Sequence, residues 1–396
     1  MMPRRKLLPY VFIIVLAGYL FVIYGPVKNF IRHKAERILT EALGAEVSLG
    51  RLTTNIFTTV KVENIKITNE HFGAMTIDTF GICYNPLVFF TKNISGYITD
   101  KKFDAKFSVK TEDPSQRILI NFTVFVKSSR ELKDFLKEKA ASISDISISG
   151  DITLNGTAVC DKNRKINLSL RLNFQKAAVA SKQTGIFIEG ISGAIPFTTT
   201  EDEMKDMLSV DSIKIRDIAI ANTKADLTSQ KSLLNFNNIS YNIFEAYGVG
   251  KGAFALEDFL LSFTSAVTSL DLEKLDKAST AFKTKTEGIV DLDIVFRSKL
   301  ARVETLEVKA HSATGGKIKQ EVILALLQYL PKEKQTTQLM NELLKNNEFV
   351  YTTLQGEFSK DQSGYRMHLV LDGAHLLEFT ITIEEGALGT LLNLFN

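Results

Sequence analysis

Apolar positions along the chain keep two different periods, and the change between them divides the sequence. From Val27 to Leu43 they fall at Val27, Phe30, Ile31, Ala35, Ile38, Leu39, Ala42 and Leu43, the i, i+3, i+4, i+7 stripe of an amphipathic helix. Gly44 follows where a left-handed C-cap belongs. Beyond it the period drops to two. Val47 and Leu49 share one face, and Ile56, Thr58, Val60 and Val62 share the face of a second strand. The alternation then slips by one residue, because Ile65 and Ile67 continue it only across a bulge or bend at Glu63-Asn64.

The same slip recurs downstream. VKVENIKITN (60–69) aligns without gaps to IKIRDIAIAN (213–222), which sets Ile213, Ile215, Ile218 and Ile220 where Val60, Val62, Ile65 and Ile67 stand. The pair predicts a repeated strand-bend-strand element. Plainer alternation marks further strands at Ile146, Ile148, Ile152 and Leu154, with Gly150 in the apolar phase. It recurs at Ile166 to Phe174, at Val290 to Phe296 and at Leu377 to Ile383. One apolar and one polar face per strand is the signature of an antiparallel sheet, whereas buried parallel strands would read as continuous apolar runs. Helices are expected at 130–141, near 201–208, at 271–282, and as a pair at 317–330 and 333–346 split by Pro331.

Ahead of the amphipathic stripe stands MMPRRK, and then no charge occurs between Lys6 and Lys28. An uncharged run of about 20 residues is long enough to span a bilayer as a helix. A cleaved signal peptide would have a shorter apolar region ending in small residues, whereas Phe21, Val22, Ile23 and Tyr24 occupy that place. The run therefore reads as an uncleaved anchor, with Arg4, Arg5 and Lys6 holding the N-terminus on the cytoplasmic side. Lys28, Arg32, His33, Lys34 and Arg37 then lie close to a membrane surface or form a solvated face. The expected fold class is mainly β: an N-terminal transmembrane helix, then an elongated, curved antiparallel sheet with a few short helices. Its segments are a basic start and anchor (1–26), a juxtamembrane helix (27–44), a β-body (45–316), a helical pair (317–347) and closing strands (348–396).

Charge and composition narrow the partners. The 48 Lys+Arg against 45 Asp+Glu leave a net charge of +3, too small to point to nucleic acid. With 45% hydrophobic residues, 27 Phe and only 7 Pro, the chain buries much apolar surface and is not disordered. Cys83 and Cys160 form neither a disulfide framework nor a CxxC motif; they are two small hydrophobes or, in an oxidising compartment, one disulfide. None of His33, His71, His311, His368 and His375 has a partner at helical metal spacing, although His368 and His375 flank a turn at Asp372-Gly373. GVGKG at 248–252 lacks the spacing of a phosphate loop, and GISG at 190–193 lacks the nucleophile elbow. No catalytic, metal or cofactor site is expected, and no enzyme.

What remains is the apolar strand faces, which either close on each other as a core or line a long groove for acyl chains. The order of features bears on that choice. RILTEALGAEVSLGRL followed by NIFTTVKVENIKI resembles the opening of AsmA-like proteins, the family that includes TamB. A second resemblance lies in SATGGKIKQEVILALLQYLP (312–331) followed by FVYTTLQGEFSKDQSGYRMHLVLDG (349–373). It implies a single-pass bacterial inner-membrane protein whose periplasmic β-groove handles phospholipid or another acyl-chain lipid, in lipid transport or outer-membrane biogenesis. Envelope protein partners or a homo-oligomer are implied as well. On that reading the groove candidates are Val47, Leu49, Ile56, Val60, Val62, Ile65, Ile67, Ile146, Ile148, Ile152, Leu154, Ile213, Ile215, Ile218 and Ile220. The alternative is an anchored scaffold for envelope assembly that carries no lipid.

Overall fold

The computed structural model describes residues 26–43, 45–55, 58–69, 73–85, 93–112, 117–127, 146–160, 166–182, 185–278, 286–299, 302–327, 347–361, 364–374 and 376–383. The expected anchor at 1–25, Ile56, His71, His375 and the expected helices at 130–141 and 333–346 lie outside these residues. Among the described residues no helix is long and apolar enough to cross a membrane. The fold is mainly β, a long antiparallel sheet with few helices. Contacts group the chain into two units, Met1–Ser144 with Asp151–Leu170, and Asp145–Gly150 with Arg171–Asn396.

The first unit opens with α1 (Pro26–Leu43). Proline is suited to a first helical position, where its missing N–H would be unpaired in any case. Then come β1 (Glu46–Ser48), β2 (Arg51–Thr54), β3 (Thr59–Asn69), β4 (Gly73–Tyr84), β5 (Asn93–Thr99), β6 (Phe103–Glu112) and β7 (Arg117–Val126). They are followed by most of β8 (Ile146–Cys160) and the start of β9 (Ile166–Ser181). β1 and β2 lie end to end along one edge of β3, and β3 through β8 pair in chain order. The strand expected to include Ile56 and Thr58 starts only at Thr59, because the Asn55 carboxamide oxygen accepts the N–H groups of Thr58 and Thr59 and closes a turn.

The phase slip at Glu63-Asn64 is real, and it is a bend. Asn64 has φ of 56°, and Val62 and Ile65, three positions apart, are both buried. No residue is inserted, since Glu63 still pairs with Thr79 and Ile65 with Ile77. The neighbouring strands switch phase at the same level: Leu49 and Leu52 are both buried on one side, while Ile77 and Phe80 meet the same cluster on the other. The crease therefore crosses three strands in register.

The second unit takes in β10 (Ile186–Thr198), β11 (Met204–Ile215), β12 (Ile218–Gln230), β13 (Leu233–Ile243), β14 (Ala246–Ala255) and β15 (Leu260–Asp271). After α2 (Leu272–Ala278) come β16 (Thr286–Lys299), β17 (Arg302–Ser312), β18 (Gly316–Lys319), α3 (Gln320–Leu327), β19 (Glu348–Asp361), β20 (Gly364–Gly373) and β21 (Leu376–Ile383). β17 and β18 divide the space between β16 and β19, each pairing with part of both.

Three expectations fail in this unit. IKIRDIAIAN is no second copy of the bent strand: Ile215 pairs with Ile218 and Ile213 with Ile220, so the pattern folds as a hairpin turning at Arg216-Asp217. In the first unit partners on both edges carry the strand on through the bend instead of letting it reverse. Residues 204–208 are strand and not helix, paired to β12 throughout, and ladder pairing overrides a weak local preference. The helix expected from Lys317 starts at Gln320, because Gly316 to Lys319 pair with β19 and, through Ile318, with β16.

The edge of the sheet at β1 is closed by α1. Thr40 Oγ1 accepts the Val47 N–H at 3.1 Å and Glu36 Oε1 accepts the Leu49 N–H at 2.9 Å, which satisfies edge donors that would otherwise recruit another strand. Partial burial opposes ionisation of Glu36, but the Leu49 N–H, His33 and Arg32 outweigh it and hold the carboxyl below the ordinary glutamate range. A carboxyl with a depressed folded pKa stabilises above its unfolded pKa, and the contribution is lost as pH falls through the folded value. Glu36→Gln should therefore unfold more easily than the native chain at pH 7, and the gap should close below about pH 4. Denaturant titrations of both chains across pH check this; a gap that is constant with pH would count against it.

Candidate functional site

Pairing register sorts the first unit into two faces. On one, Phe80, Ile98, Ala105, Val124 and Leu154 stand in a row across β4 to β8. The next rows hold Ile82, Gly96, Phe107, Phe122 and Gly156, then Tyr84, Ile94, Val109, Ile120 and Ala158. The opposite face carries Thr79, Thr99, Asp104, the exposed Phe125 and Thr153 in one row, and beside them Tyr97, Lys106, Ser108, Asn121 and Thr157, so it is mainly but not wholly polar. Period-two alternation over 103–109 and 118–124 was the signal for the apolar rows. These residues were nevertheless missed as site positions.

Side chains of the apolar rows are only half-buried, apart from Ala105, while Ile118 at the end of the face is exposed. Two aromatic rings shape its middle. Phe107 leans onto Gly96, its Cζ 2.2 Å from where a Cβ there would stand, and Phe122 leans onto Gly156, its Cζ 2.3 Å from the equivalent point. Although Phe107 and Phe122 are direct cross-strand partners, each thus tilts away from the other onto a glycine of the next strand out. The Phe107 ring also stacks on Phe80, with centroids 5.7 Å apart. The result is an apolar seam along β6 and β7 with an aromatic ring on either side.

The second unit treats its apolar face differently. Leu227, Leu371, Phe379 and Ile323 are 0% exposed, within a continuous cluster that also includes Val267, Val290, Tyr351 and Ile381. Apolar residues from β12 through β21 and from α3 meet one another there, while Phe263, Ile294, Phe296 and Phe358 stay half-buried. The strands expected at Val290 to Phe296 and Leu377 to Ile383 supply part of this core.

The groove candidates are accordingly dispersed. Val47, Leu49, Val62 and Ile65 are buried with Leu52 and Ile77, and Val60, Ile67 and Ala35 of α1 pack against them. Ile152 is buried and Leu154 half-buried, both on the apolar face of the first unit. Ile146 and Ile148 are half-buried in the second unit, before Gly150, which has φ of 90° where β8 passes close to Ala177. Ile213 and Ile220 are cross-strand partners in a row with Ile188 and Ile243, while Ile215 is exposed beside Ile218.

Polar chemistry does not converge. GVGKG lies inside β14, paired on both edges. A depression of about 810 Å³ on the outward face of β13 to β16 is lined by Asn238, Tyr247, Val249, Lys251 and Asp293 among others, without a cluster of charge. Among the described residues no three His, Cys, Asp or Glu side chains are grouped to hold a metal. Shifted groups have ordinary causes: the Lys61–Glu63 hydrogen bond at 2.7 Å raises the lysine and lowers the glutamate, and burial raises the Tyr351 phenol, which donates to the Glu287 carbonyl. His368 Nε2 lies 3.1 Å from Glu378 Oε1 across the β20–β21 hairpin.

Cys83 and Cys160 are both thiols. Cys83 pairs with Ser95 and belongs to the polar face, while Cys160 pairs with Ile118 and belongs to the apolar one. Four strand spacings of about 4.8 Å separate them, beyond the reach of a disulfide.

A scan of family models, a search of curated proteins and a search of solved structures each return no match to this chain. The resemblance to AsmA-like proteins therefore rests on the two sequence regions alone.

If Phe122 rests on Gly156 as described, a methyl group there must push the ring and Leu170 aside. Gly156→Ala should cost about 1–3 kcal/mol, most of it recovered in a Phe122→Leu background. Equilibrium unfolding of the four chains in the cycle measures the coupling, and strictly additive costs would contradict the packing.

Proposed function

We propose that this is a membrane-anchored, lipid-handling protein of the AsmA-like kind, and that the apolar face of its first unit receives an acyl chain. The supporting observation is a difference of degree between the units: in the second, Leu227, Ile323, Leu371 and Phe379 lose all exposure in one core, while in the first three successive apolar rows are half-exposed apart from Ala105. In this reading the uncharged run before Lys28 spans the inner membrane, the N-terminus stays cytoplasmic and the sheet lies in the periplasm. Ten residues of strand at about 3.3 Å each make a seam longer than one acyl tail, since two opposed tails span only the roughly 30 Å hydrocarbon core of a bilayer. No step of bond chemistry is involved. The work is transfer or holding of phospholipid in envelope biogenesis.

The test is retention of lipid by the full chain purified in mild detergent, read by mass spectrometry of extracted phospholipid. Ile120→Asp, on the apolar face, should lower retained phospholipid about tenfold, the loss expected for roughly 1.4 kcal/mol of binding. Thr123→Asp, on the opposite face, should leave it unchanged. Absence of phospholipid from the native chain, together with crosslinks from the Ile120 face to a protein, would replace this reading with the anchored scaffold.

A further inference from the structure

α1 has two sides, and the sheet uses one of them. Glu36 and Thr40 turn toward β1 and hold its edge N–H groups, and Ala35 packs into the small core beside them. Ile38 stands two residues from Glu36 and from Thr40, so at about 100° per residue it points away from both hydrogen-bonding side chains, although Ala35, three residues before it, borders the same stripe. There Phe30 is 67% exposed, Ile31 41% and Ile38 52%. Lys34 and Arg37 are exposed as well.

Two facts identify what this side fits. The chain immediately before Pro26 is the uncharged run already assigned to the bilayer, so the helix starts where that run ends. The helix also carries four Lys/Arg against two Glu; Glu36 is engaged by the sheet and Glu41 lies 3.9 Å from Arg37. We infer that α1 lies in the plane of an anionic bilayer surface, with Phe30, Ile31 and Ile38 immersed and Lys34 and Arg37 at lipid phosphates, while its opposite side carries the first strand of the sheet. Lys34 stands one turn from both Phe30 and Ile38 and reaches the phosphates by extending its stem from between them, while Arg37 flanks Phe30, so apolar burial and charge act together. The helix thereby orients the sheet relative to the membrane. The inference rests on the reading of the preceding run as an anchor, but not on lipid binding by the β6–β7 seam.

The test uses the full chain with Cys83→Ser and Cys160→Ser, reconstituted in phosphatidylethanolamine/phosphatidylglycerol vesicles. Single cysteines replace Phe30, Ile38 or, on the polar sheet face, Lys106, and each carries a polarity-sensitive fluorophore. Labels at 30 and 38 should emit to the blue and be quenched by brominated acyl chains, and the label at 106 should do neither. Lys34→Glu with Arg37→Glu should reduce quenching at 38 and remove its dependence on phosphatidylglycerol. Water-like emission at 30 and 38 overturns the inference, as does failure of the chain to float with the vesicles. Blue emission without bromolipid quenching also overturns it, because the face is then covered by residues 1–25, a second copy or another protein. Normal quenching in a chain that retains no phospholipid would sink only the lipid-handling reading.

Discussion

An antiparallel strand that alternates strictly presents every second side chain on one face, and leaving that face in water costs about 25 cal/mol per Å² of apolar surface. The two units of this protein meet that constraint in different ways. In the second, residues from distant strands and from α3 fold over one another until Leu227, Phe379 and Ile323 lose all contact with solvent. In the first, a buried apolar cluster lies beside α1, and the rows from β4 to β8 stay half-exposed apart from Ala105. Phe107 and Phe122 reduce the wetted area by resting their ring ends over glycines, a local remedy which leaves the seam between them half-exposed.

The edge imposes a second constraint. A strand with unpaired N–H groups is a template for any other strand, and α1 answers it with two side-chain acceptors, Glu36 and Thr40, where a further strand would supply carbonyls. The crease at Asn64 belongs to the same corner of the fold. By switching phase in three strands at once, it lets Leu49, Leu52, Val62, Ile65 and Ile77 share one cluster although their spacing along the chain is uneven. An edge strand without the switch would turn half of these residues outward.

Strand class and facing were legible because alternation is a local property: β16 and β21 follow the sequence pattern residue by residue. The bend at Glu63-Asn64 was legible for the same reason. What VKVENIKITN and IKIRDIAIAN do with that bend was not, since a straight passage and a hairpin differ only in which strands flank them. The strand at 204–208 was hidden likewise, because its partner, β12, lies later in the chain. Hairpin turns at Lys231-Ser232 and Phe244-Glu245 place four non-glycine residues at positive φ, so no Asn-Gly signal announced them. The candidate site was half legible. Periodicity identifies apolar faces but not whether a second layer covers them, so Val47 and Val62, in a closed cluster, and Leu154, on the open rows, looked alike.

The placement of the two thiols has a chemical consequence. Because Cys83 and Cys160 sit on opposite faces, an oxidising compartment cannot join them, and each reacts only with what reaches its own side. The first unit's sheet thus carries one thiol on each face. The ratio of their alkylation rates is an internal measure of how far the apolar side is occupied, with the polar side as its own reference.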